Sequence, residues 1–78
     1  MSADELLERS AKGEGYFRVK DLRGIDLIGA DLSGINLSEA NLSGADLSGA
    51  NLTNASLYNT NLERASLLGA TFIKVNLQ

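Results

Sequence analysis

Four aspartates, Asp21, Asp26, Asp31 and Asp46, stand at multiples of five residues from one another. Carboxylates held at fixed spacing can act as general acids and bases or as oxygen ligands for a hard cation. Asp26 and Asp46 are 20 residues apart, with Ser66 another 20 on, so a fold repeating every 20 residues would stack them. Two carboxylates without a ligand-rich loop make a poor cation site, however. Short acidic side chains also serve turns well by accepting backbone N–H bonds, and that structural role is the reading adopted for all four.

The remaining chemistry narrows quickly. The chain has 0 His and 0 Cys, which removes Ser-His-Asp and Cys-His nucleophile systems, imidazole and thiolate metal sites, iron–sulfur clusters and disulfides. A Ser–Lys nucleophile pair is compositionally open but needs a cleft to activate it. The glycines recur at regular intervals and form no strand–loop–helix phosphate cradle. The sequence therefore predicts no catalytic residue, no metal and no cofactor: a protein that is not an enzyme.

Seventy-eight residues allow one small domain. Seven Lys+Arg against 10 Asp+Glu give a net charge of −3, which argues against direct binding to nucleic acid. The start carries no charged-then-apolar signal segment, and no 18-residue apolar run occurs, so the expectation is a cytoplasmic protein without a membrane span.

The element that positions these residues is set by a period of five. Phe17, Leu22, Leu27, Leu32, Leu37, Leu42, Leu47, Leu52, Leu57, Leu62, Leu67, Phe72 and Leu77 form an unbroken series. Two residues before most of them stands a small residue, as at Ala30, Ala40, Ala45, Ala50, Ala55, Ala65 and Ala70, and the site between is Asp, Asn, Ser or Thr from residue 21 onward. On a helix at about 100° per residue a period of five would spiral the leucines round every side, and on a strand they would alternate faces. One short extended piece plus a turn per unit does fit, with successive leucines pointing inward from successive walls of a coil.

Tandem units such as Ala30-Asp31-Leu32-Ser33-Gly34 and Ala45-Asp46-Leu47-Ser48-Gly49 resemble those of the pentapeptide-repeat proteins, over residues 15–78. The opening Glu5-Leu6-Leu7, followed by Gly13-Glu14-Gly15 and Phe17, is similar to the start of short cyanobacterial members. The resemblance implies an all-β fold, a right-handed quadrilateral β-helix (β-solenoid) with four units per coil. Residues 15–78 then make about three coils and, at roughly 4.8 Å per coil, a body about 15 Å long. Twenty-residue stacking puts Phe17, Leu37, Leu57 and Leu77 on one wall. Leu22, Leu42 and Leu62 share the next, Leu27, Leu47 and Leu67 the third, and Leu32, Leu52 and Phe72 the fourth. Gly24, Gly29, Gly34, Gly44, Gly49 and Gly69 fall at corners that favour positive φ, where Asn54 and Asn59 can substitute.

The two ends differ. Ser2-Ala3-Asp4-Glu5 has capping-box spacing, and Ala3, Leu6, Leu7 and Ala11 follow helical spacing up to Gly13. The prediction is a short helix over residues 3–12 that covers the first coil, with residues 1–14 as cap and linker and 15–78 as the β-helix. Lys20 occupies an inward, small-residue position and is expected to turn outward. The C-terminal coil has no such cap, and where earlier units offer Ser33, Ser38, Ser43 and Ser48 it offers Tyr58, Leu68 and Ile73.

Tyr58, Leu68, Ile73 and Leu77 are therefore the candidate interaction surface. They would serve an unidentified protein partner or self-association through the C-terminal coil, unless that coil continues into a longer solenoid. The functional expectation is a non-catalytic structural and protein-interaction module. The alternative comes from the resemblance: some members imitate duplex DNA and modulate a type II topoisomerase (gyrase). DNA presents about one charge per 1.7 Å, so a body about 15 Å long needs near nine negative charges, whereas residues 25–78 carry a net −3.

Overall fold

A computed structural model describes residues 1–77. Helix α1 spans Ala3–Ala11. Ser2 caps it from extended backbone (φ −90°, ψ 164°), and its side-chain oxygen accepts the Glu5 amide at 3.1 Å, satisfying one of the helix's unpaired donors. Asp4 and Glu5 lie in the first turn and Arg9 in the last, each of the sign that the helix dipole favours. An ion pair of 2.8 Å joins Glu5 to Arg9 one turn on. The helix is slightly shorter than residues 3–12 because Lys12 is already its C-cap. Gly13 follows at φ +95°, donating to the Ser10 carbonyl while Glu14 donates to that of Arg9, both at 3.0 Å, a Schellman closure.

Beyond α1 the backbone winds in coils of 20 residues. Among the described residues nine parallel bridges each join residues 20 apart, forming four ladders: Tyr16–Asn36–Ser56–Asn76, Asp21–Asn41–Asn61, Asp26–Asp46–Ser66 and Asp31–Asn51–Thr71. These are isolated one-residue bridges, where the sequence reading expected an all-β structure. Each five-residue unit spends two residues on a turn, which leaves too little extended chain for a continuous strand.

Within an interior unit the pattern is uniform. The amide of Leu22 donates to the Asn41 carbonyl at 2.8 Å and that of Gly24 to Ser43 at 2.9 Å, both in the next coil. In the reverse direction the Asn41 amide donates to the Lys20 carbonyl at 2.9 Å. The turn closes with Ile25 donating back to the Leu22 carbonyl at 3.2 Å. Its third residue has positive φ, as a type II turn requires, and this holds at every unit, including Val19 (φ 62°), Glu39 (62°), Arg64 (58°) and Lys74 (56°). Gly and Asn are thus favoured at these corners but do not fill them all.

The leucine series fills the bore. Phe17, Leu22, Leu27, Leu32, Leu37, Leu42, Leu47, Leu52 and Leu57 are buried, as are Ala40, Ala45, Ala50 and Ala55 at the small positions, with Ile25 and Ile35 filling two of them. Lys20 is exposed. No coil precedes Phe17, Leu22, Leu27 and Leu32, and yet all four are buried. Leu6 of α1, fully buried in the same core, with Ala3 and Leu7 packed against it, supplies their cover.

Candidate functional site

The four aspartates occupy turns, and their carboxylates bond to the local backbone. The Asp21, Asp26, Asp31 and Asp46 oxygens accept the amides of Arg23, Ile28, Ser33 and Ser48 at 3.3, 3.1, 3.1 and 3.0 Å. Asn36, Asn41, Asn51 and Asn61 make the same bond two residues on. Asp26 and Asp46 do stack on one ladder above Ser66, but among the described residues no group of three or more acidic side chains converges to hold a metal. No cleft is found among the described residues. Among the described residues no helix is long and apolar enough to cross a membrane.

These local bonds stabilise the charged carboxylates. The Arg23 side chain, aided by the Arg23 amide, holds Asp21 down at about 2. The Ser33 hydroxyl and amide lower Asp31, and those of Ser48 lower Asp46. A carboxyl whose pKa is depressed by folding adds stability above its unfolded pKa, about 3.9 for Asp, and loses it as pH falls through the folded value. Thermal melts should therefore show no loss from these groups between neutral pH and about 5 and then a decline from about 4 to about 2. The decline should be modest, because the Asp21–Arg23 pair is exposed and solvent screens it. A melting temperature unchanged down to the lower limit would refute the role given to these turns.

The C-terminal coil contrasts with the first. Leu62 and Leu67 are only half-buried, Phe72 is 40% exposed and Leu77 65%, although their counterparts Leu22, Leu27, Leu32 and Phe17 are buried. Among the described residues the amides of Leu62, Arg64, Leu67, Gly69, Phe72 and Lys74 have no backbone partner, nor do the carbonyls of Thr60, Ala65, Ala70 and Val75. An apolar floor thus lies inside a rim of unpaired backbone.

The other three candidate residues are on the flanks of that coil. Tyr58 (45% exposed), Leu68 (81%) and Ile73 (57%) follow Leu57, Leu67 and Phe72 in the sequence and so belong to three different sides. Consecutive units occupy successive walls, so the three are distributed around the coil. Phe72, absent from the candidate set, belongs to the open floor with Leu77. The 20-residue offset was the available signal: residue 72 has no counterpart one coil later within the 78 residues.

The Tyr16–Asn76 side also carries an exposed ion pair between Arg18 and Glu39 of neighbouring coils. Paired hydroxyls lie half-buried at Ser38–Ser56 (2.7 Å) and Ser48–Ser66 (2.9 Å). These tie coil to coil, and neither faces a cavity.

Coils of four five-residue units, tied by parallel bridges and filled by a leucine series, define a β-helical solenoid. The family model for pentapeptide repeats matches residues 21–57 and 50–78, with 8 copies, and the chain belongs to the pentapeptide repeat family. A solved pentapeptide repeat protein, alr5209 from Nostoc PCC 7120, is 34% identical over 88% of this chain and 74% of its own, with a TM-score of 0.26. No curated protein matches.

Proposed function

We propose that the chain is a non-catalytic protein-interaction module, a right-handed four-sided β-helix whose C-terminal coil is its contacting end and whose occupant is a second copy of the chain. The observation that carries this reading is the difference between the ends: equivalent core positions are buried under α1 and exposed at Phe72 and Leu77. Apolar surface of this kind, rimmed by polar groups, is the usual mark of an interaction site. Membership of the pentapeptide repeat family and the filled bore support a non-catalytic role, and the cysteine-free composition agrees with a cytoplasmic setting.

Imitation of duplex DNA before a type II topoisomerase has less support. Three of the four aspartates from residue 21 onward, Asp21, Asp26 and Asp31, are in the first coil, so no continuous acidic stripe runs along the body.

Sedimentation of the 78-residue chain across a wide concentration range tests the proposal. The mass should rise with concentration, and Phe72→Glu should abolish the rise, while the flank variant Leu68→Glu/Ile73→Glu weakens it less. A chain that stays monomeric throughout, or that associates regardless of Phe72→Glu, refutes it.

A further inference from the structure

Resting on that reading, the two rims identify how a second copy would approach. In the interior each side of a coil sends two amides and one carbonyl toward the following coil, as Leu22, Gly24 and Lys20 do. It receives two carbonyls and one amide in return, as from Asn41 and Ser43. The C-terminal rim is left with the first set: the amides of Leu62 and Arg64 with the carbonyl of Thr60, and their equivalents on the next two sides. The first coil is left with the second set. Among the described residues the carbonyls of Asp21, Arg23, Asp26, Ile28, Asp31 and Ser33 accept no backbone amide, and the amides of the three aspartates find no backbone acceptor.

Two C-terminal rims would therefore set amide against amide. A C-terminal rim on the N-terminal rim of another copy reproduces the interior ladder bond for bond, with leucine walls in line. Charge does not oppose this pairing: the first-coil residues 15–35 hold three acidic and three basic side chains, and residues 58–77 hold Glu63 against Arg64 and Lys74.

One element stands in the way. Helix α1 covers the first coil with Leu6 fully buried, and a helix about 10 Å across cannot share the roughly 4.8 Å spacing of stacked strands. We propose that α1 is a removable terminator: it blocks the N-terminal edge that a second copy's C-terminal coil is built to extend, and head-to-tail stacking proceeds only when α1 has lifted. The apparent affinity of intact chains is then reduced by the small fraction with α1 undocked.

The test compares the full chain with Leu6→Asp, which puts an unpaired carboxylate where a buried leucine sat. Sedimentation of Leu6→Asp should show an open-ended, concentration-dependent series of masses, associating roughly ten-fold or more tightly than the intact chain, and adding Phe72→Glu should return it to monomers. A folded Leu6→Asp chain that associates no better than the intact one overturns the terminator, while leaving the C-terminal contact to be judged by Phe72→Glu in the intact chain. Association of Leu6→Asp that survives Phe72→Glu also overturns it. Should Leu6→Asp be unfolded by itself, it is mixed with the intact chain, whose C-terminal coil can replace α1 as cover. Recovery of its native circular dichroism in an equimolar complex supports the proposal, and continued unfolding of the variant in that mixture overturns it.

Discussion

Leu42→Ala is expected to cost about 3 kcal/mol, whereas Leu62→Ala, on the same side one coil later, costs about 1 kcal/mol. Both substitutions remove the same atoms. Leu42 is fully buried between Leu22 and Leu62, so its loss leaves a cavity that the ladder bonds above and below keep from collapsing. Leu62 is half-buried on the open coil, and water can fill the space it leaves. At about 0.05–0.15 kcal/mol per residue a chain of this length holds roughly 4–12 kcal/mol in all, so Leu42→Ala removes a large part of it. Thermal unfolding by circular dichroism in dilute solution should show a drop of roughly 12–24 °C for Leu42→Ala and about 4–8 °C for Leu62→Ala. Equal drops would mean that the last coil is covered as completely as the middle one.

Why the period of five could be read so far follows from what fixes it. A leucine every fifth residue is compatible with neither helix nor strand, which leaves the coil, and four units per coil put Leu22, Leu42 and Leu62 on one side, as the Asp21–Asn41–Asn61 ladder shows. The helix was legible from Ser2 and Glu5 because capping is a local interaction, bonded here as the spacing requires. The candidate site was legible only in part. An apolar last coil can be seen in composition, but the side on which each residue emerges depends on position modulo 20, so composition alone groups Tyr58, Leu68 and Ile73, which follow core residues on three different walls. Phe72 is hidden for the opposite reason: it continues the core series, and the sequence pattern gives it the same place as the buried Leu32 and Leu52. Complementarity of the two rims has no side-chain signature at all, since it lies in backbone amides and carbonyls that every residue possesses.

Exchanging residues between two corners should change stability in opposite directions: Gly49→Val is expected to destabilise the chain by about 1–2 kcal/mol and Val19→Gly to stabilise it by about 0.5–1 kcal/mol. Both corners have positive φ, 70° at Gly49 and 62° at Val19. For a residue with a Cβ this conformation costs roughly 1–2 kcal/mol, and a β-branched side chain there is an outlier. Val19 adopts it because the corner is imposed from outside: its amide donates to the Ser38 carbonyl of the next coil at 3.1 Å, in the position that Gly24 and Gly29 occupy on the following sides. Replacement by glycine relieves the strain and gives back part of the gain as chain entropy, about 0.5–1 kcal/mol. Gly49 lies in a stack with Gly29 and Gly69, and a Cβ there would stand 3.9 Å from the Gly29 backbone, so the γ-methyls of valine add crowding to the strain. Urea titration of the two variants reads both effects. Loss of stability in Val19→Gly would mean that contacts of the valine side chain outweigh the backbone strain, which its 67% exposure argues against.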